Sequence, residues 1–154
     1  MSTTMSREPE SKKQHKKELS SEAQTLLEVL RIIDKKGYFD TNVPWEWIEW
    51  EEVEFADDED FAKFIHEEVP EVIKDVAREI GAEAFVYHLG YDVPGSNYIV
   101  HIYLRDEDKS YTLYVDYYET DLEEGRFTLY IVGGEKDTTK PSVYYHPVSG
   151  LEVG

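Results

Sequence analysis

Cysteine is absent from the 154-residue chain, which removes disulfide frameworks, thiolate zinc fingers and cysteine nucleophiles together and leads us to expect a cytoplasmic setting. No apolar run approaches the roughly 20 residues that span a bilayer, and residues 1–18 lack the apolar stretch of a signal peptide, so no membrane partner is expected. Positive charge is scarce: 16 Lys and Arg stand against 34 Asp and Glu, giving a formal net charge of −18 and a pI near 4.5. There is no P-loop, no Gly-rich dinucleotide fingerprint and no Gly-x-Ser-x-Gly elbow, and Gly133-Gly134 lacks the companion residues of a phosphate cradle. Nucleotide binding and acyl transfer through those devices drop out.

The charge that is present is unevenly placed. Residues 1–20 hold five Lys or Arg and three Glu, which leaves −20 on residues 21–154. The first twenty residues carry no aromatic side chain and too little apolar surface to offset ordering entropy, and they read as a disordered basic arm. Residues 21–154 read as a single domain long enough to bury a core. A body this acidic repels phosphate backbones, so nucleic acid is expected only at the arm, through Lys12-Lys13-Gln14-His15-Lys16-Lys17, or through a metal site.

Apolar residues at helical spacing (Ala23, Leu26, Leu27, Leu30, Ile33) predict a helix over 21–36, with Ser21 and Gln24 as a capping box and Gly37 as its stop. A second stripe, Phe61 to Ile80, predicts a helix over 58–80, acidic at its start and kinked or broken by Pro70. Its His66 falls on the outward face and has no second His four residues away, so it forms no metalloprotease motif. Between the helices, Pro44 predicts a helical turn carrying Trp47 and Trp50, followed by a short strand at 53–55.

From Glu83 the period changes to two. Strands are expected at 84–91, 98–105, 110–118 and 126–132, with 142–146 as an optional fifth, joined by short turns into an antiparallel meander. The fold class is therefore α+β, a four- to five-stranded meander with two helices on one face. With Pro94-Gly95 as the first turn, Phe85, Tyr87 and Leu89 share the helix-facing side with Val100, Ile102, Leu113 and Val115. His88 then lies opposite His101 on the other side, near Tyr114 and Asp116.

Two functions follow from this reading. The first is an acidic, non-catalytic interaction or inhibitory protein that binds a basic protein surface, with imitation of nucleic-acid charge as one form of that binding. Its candidate binding residues are Tyr103, Arg105, Tyr130, Trp47 and Trp50, types enriched at interfaces. The alternative is a metal-dependent hydrolase, with a nuclease as the first choice within that class. In it His88, His101 and Asp116 would hold a divalent metal, the one cofactor expected, and with Tyr114 on the next strand they are the candidate catalytic residues. A carboxylate-only magnesium site around Asp92, Asp106, Glu107 or Glu67, Glu68 and Glu71 is a weaker version, since acid runs at turns and helix starts are ordinarily solvated caps.

Overall fold

The computed structural model describes residues 18–90 and 97–137. The basic arm before Glu18, Asp92 and the strand expected at 142–146 lie outside the described residues. In chain order the elements are α1 (Ser21–Lys36), β1 (Tyr38–Glu51), α2 (Asp58–Lys63), a π-helical turn (Phe64–Glu68), α3 (Val69–Glu79), β2 (Glu83–His88), β3 (Tyr98–Leu104), β4 (Lys109–Asp116), α4 (Glu119–Glu123) and β5 (Arg126–Lys136). The strands form one antiparallel sheet ordered β1-β5-β4-β3-β2. This is the α+β architecture expected, with β2 to β5 as the meander.

Helix α1 has the predicted bounds, but its cap is Ser20 rather than Ser21. The Ser20 hydroxyl accepts from Ala23 N–H at 3.1 Å. Gly37, at φ 90°, turns the chain into β1 in the left-handed conformation that favours glycine. The helix lies against β4 and β5 at a place where the sheet has no side chain. A Cβ on Gly134 would stand 2.8 Å from Leu113 Cδ2 and 3.1 Å from Ile33 Cδ1. Beyond this contact Tyr111 Oη donates to Asp34 Oδ1 at 2.9 Å, and Lys109 and Lys136 flank the same carboxylate.

Residues 38–51 correct the expectation of a helical turn and a later strand at 53–55. They form a 14-residue edge strand pairing with β5 along most of its length. Aromatic and β-branched residues favour the pleated conformation, and Pro44 falls in the unpaired stretch between Asp40 and Trp45, where no ladder N–H is required. Within that gap the Thr41 hydroxyl accepts from Val43 N–H and donates to Val43 O.

The second helix is interrupted near Pro70 as expected: α2 stops at Lys63, and a new α-helix opens at Val69 on Pro70. The chain widens into a π-turn just before it, and Val69 N–H reaches back to Phe64 O. In that pattern the partner of Ile65 O would be the N–H that Pro70 lacks. Tyr98 supplies the donor instead, its hydroxyl meeting Ile65 O at 2.7 Å in the buried interior. Tyr98→Phe is therefore expected to destabilise the protein by about 1–3 kcal/mol, the cost of stranding a buried carbonyl. A urea titration checks this, and an unchanged midpoint would mean that the carbonyl has another donor.

The core lies between the helices and one face of the sheet, where Tyr98, Val100, Ile102, Tyr111, Leu113, Val115, Phe127, Leu129 and Ile131 are fully buried. These face assignments match the sequence reading. Strand β2 does not. It pairs Phe85 with His101 and His88 with Tyr98, three residues away from the expected register, and an odd slip exchanges the faces. Ala84 is buried under the helices, whereas Tyr87 on the opposite face is 36% exposed.

Candidate functional site

The β2 register separates the residues proposed to hold a metal. His88 stands on the helix side of the sheet opposite Tyr98, while His101 stands on the other side between Phe85 and Thr112. Asp116 shares the His101 face but lies four residues along β4 from Thr112, about 13 Å away. Tyr114, between them, donates to Glu135 Oε2 at 3.2 Å, and burial followed by that carboxylate raises its pKa. Among the described residues no three His, Asp or Glu side chains converge as a metal-ligand set. The expected His88, His101 and Asp116 centre does not form.

Each of the three has a different environment. The His88 ring stacks on Tyr117, meets the edges of Tyr98 and His66, and bonds Tyr117 Oη through Nε2 at 3.1 Å. Burial, with a smaller contribution from His66, pushes its pKa down to about 4. His66 is exposed, as expected of its helix face, yet its ring is 4.9 Å from that of His88. His101 Nδ1 lies 3.0 Å from Thr112 Oγ1, which donates to Asp137 Oδ1 at 2.7 Å. Burial lowers the His101 pKa and Asp137 opposes that shift. Asp116 accepts from Asn97 N–H at 2.8 Å, and burial raises its pKa against that bond.

The proposed binding residues also scatter. Trp47 is a core side chain, 5% exposed, with its indole N–H donated to Glu22 O. Arg105 pairs with Glu83 at 2.6 Å and lies over the Tyr103 ring, so these two are neighbours at one corner of the sheet. At the other end Tyr130 donates to Asp121 at 2.7 Å, and burial together with this bond raises its pKa to about 12. Trp50 packs edge-on against Phe64 and Phe127 and shows its remaining surface to a groove.

That groove, of about 700 Å³, is the feature with the most concentrated chemistry. At the end of β1, Glu52 takes a left-handed conformation (φ 55°) and turns the chain back toward the helix. Val53 N–H is fixed on Gly125 O, and the Phe55 ring lies 5.0 Å from Phe61 and 5.1 Å from Phe64. The start of α2 is tied by reciprocal bonds, Asp60 N–H to Asp57 Oδ1 and Ala56 N–H to Asp60 Oδ2. The loop thereby brings Glu52 and Glu54 across from Glu67, Glu68 and Glu71, with Asp60 beside them and Trp50, Val53, Phe55 and Phe64 as an apolar floor.

Lys63 is the single cation in the lining among the described residues. Between residues 46 and 71 the sequence holds twelve carboxylates against that one lysine. Glu71 has Lys74 at 3.5 Å, but among the described residues Glu52, Glu54, Glu67 and Glu68 have no Lys or Arg within ion-pair distance. Sequence reasoning found Glu67, Glu68 and Glu71 only as a solvated run; their convergence with Glu52 and Glu54 depends on the loop at 52–57, which the alternation at 53–55 presented as a short strand.

The chain matches no family model, no curated protein and no solved structure. Its function is therefore argued from its own chemistry.

Proposed function

We propose that the protein is an acidic, non-catalytic interaction protein that binds a basic protein surface in the groove between the 52–57 loop and the π-turn. The observation that carries this reading is the row of exposed carboxylates, of which Glu52, Glu54, Glu67 and Glu68 have no Lys or Arg within ion-pair distance among the described residues, above an aromatic floor. Carboxylates at this density steer lysines and arginines toward the groove and raise their rate of encounter. Trp50, Phe55 and Phe64 supply apolar surface for the stems of those side chains. Imitation of nucleic-acid charge is the inhibitory form of the same function, since a basic nucleic-acid-binding surface is what such a groove would occupy.

A fluorescent Lys- and Arg-rich peptide tests this directly. The triple variant Glu67→Gln, Glu68→Gln, Glu71→Gln is expected to bind it roughly three- to 150-fold more weakly than the parent, given roughly 0.2–1 kcal/mol per exposed pair. Affinity of the parent should also fall as salt shortens the range of the field. Binding that is indifferent to both salt and these substitutions would refute the groove. The metal-dependent hydrolase in its His88, His101 and Asp116 form keeps no such observation in its favour, because those side chains stand on two faces of the sheet.

A further inference from the structure

A second cavity, of about 640 Å³, opens between α2 and the start of α4 and shares no lining residue with the acidic groove. Three aromatic rings line it: Phe61 of α2, and Tyr117 and Tyr118, which follow β4. Tyr117 is buried, and Tyr118 is 37% exposed. Each ring packs on another. Phe61 lies 5.0 Å from Phe55, and Tyr117 lies 5.1 Å from Phe127 with its hydroxyl bonded to His88 Nε2. Tyr118 lies 4.9 Å from Tyr130, which Asp121 holds in turn. The walls are thus set before any ligand arrives, and binding need not order them.

Ala62 and Leu122 complete the apolar lining, and among the described residues the charged side chains in it are Asp58 and Glu119 alone. Both are exposed, and neither has a Lys or Arg within ion-pair distance among the described residues. Asp116 and Asp121 add negative charge nearby: after burial itself, their charges raise the Tyr118 pKa. Such a cavity repels an anion. It attracts a primary ammonium, but that group carries three N–H donors that ring carbons and methyl groups cannot accept, so entry strips its water without replacement. A quaternary ammonium has the same charge, no donor to strand and a surface of methyl groups, and aromatic rings attract it through their quadrupoles.

We propose that this cavity is an aromatic cage for a trimethylammonium group, presented by a trimethylated lysine of the basic protein that docks in the groove. The Phe61 ring joins the two places, since the Phe55 ring on which it packs belongs to the groove floor. The source of the group rests on the groove reading; the chemistry of the cage stands without it. The groove gathers lysine- or arginine-rich surfaces in general, and the cage selects one that carries the methyl mark.

The full-length chain is titrated with the N-acetyl amide of trimethyl-lysine, with the same derivative of unmethylated lysine, and with a neutral isostere in which a tert-butyl group replaces the trimethylammonium. Binding is followed by the amide NMR shifts of Phe61, Ala62, Tyr118 and Leu122. The trimethylated derivative is expected to bind at least about tenfold more tightly than either of the others, because it alone combines charge with an apolar surface. Tyr118→Leu should weaken it by about threefold or more, the loss of one ring, while Tyr118→Phe keeps the ring and the affinity. The Glu67→Gln, Glu68→Gln, Glu71→Gln variant, which weakens the basic peptide, should leave this small ligand unaffected, so failure of the groove and failure of the cage are read separately. Equal binding of the three derivatives, binding of none, or shifts at residues other than these would overturn the cage. Choline bound more tightly than the lysine derivative would make the ligand a small molecule and overturn its assignment to the protein partner.

Discussion

Replacing Leu113 with alanine is expected to lower the free energy of unfolding by about 2–5 kcal/mol, a large share of a typical reserve of about 5–15 kcal/mol. Leu113 is fully buried on the central strand, opposite Val100 on one side and Gly134 on the other. Its Cδ2 occupies the space that a side chain on Gly134 would need, and Ile33 of α1 closes the same spot. The neighbours cannot easily fill the hole: Gly134 has nothing to extend, and Ile33 is fixed on a helix. A urea titration should show a lower midpoint with an unchanged slope. An unchanged midpoint would mean that β4 does not turn this residue toward the helices.

The second large effect is a loss of stability on mild acidification. Above pH about 6.5, His88 is neutral in both the folded and unfolded chain and costs nothing. Below it the unfolded chain takes up a proton that the folded protein refuses until pH about 4, because the ring is buried and faces His66. Stability is thus complete above the unfolded value and drains away as pH falls toward the folded one. The loss is roughly 2–3 kcal/mol over the window, somewhat less than the full shift implies because solvent still reaches part of the ring and screens it. His101 adds in the same direction, and Asp116, whose pKa is raised, opposes it at the acid end. His88→Phe should flatten the dependence of the urea midpoint on pH between 6.5 and 4. A variant that keeps the full slope would place the cause elsewhere.

Much of the fold was legible because two periodicities are strong. The stripe from Ala23 to Ile33 and the alternation in β3, β4 and β5 each left one consistent side to bury. The β3–β4 hairpin closes with a 3₁₀ turn at Arg105–Glu107 and Asp108 in the left-handed region, two residues from the expected pairing. An even slip keeps every face. The β2–β3 connection slips by three, and this one error moved His88 to the other side and dissolved the expected metal site.

Its cause is physical. The aromatic set Phe85, Tyr87 and Leu89 has the stronger hydrophobic pattern, but α3 packs closely on β2 and the small side chains of Ala84 and Val86 suit the narrow gap. The connection is held by Asn97, whose side chain accepts from Tyr117 N–H and donates to Gly90 O while its backbone carbonyl accepts from Leu89 N–H. A single asparagine serving as a bracket between strands leaves no trace in periodicity. The acidic groove was hidden for a related reason: its carboxylates were visible one by one, while the turn at Glu52 that gathers them depends on a left-handed residue that is not a glycine.

Strand β1 has a further consequence for how copies of this protein behave toward one another. Among the described strands it is an outermost one, and such an edge is the kind of template on which β-proteins assemble into fibres. Along it, Glu46, Glu49 and Glu51 pair with Tyr130, Thr128 and Arg126 and so project from one side, and Pro44 interrupts the row of donors. Two such edges brought together would set glutamates near glutamates at every second position and leave a gap at each proline. The acid along this edge thus makes the molecule a poor neighbour for its own kind.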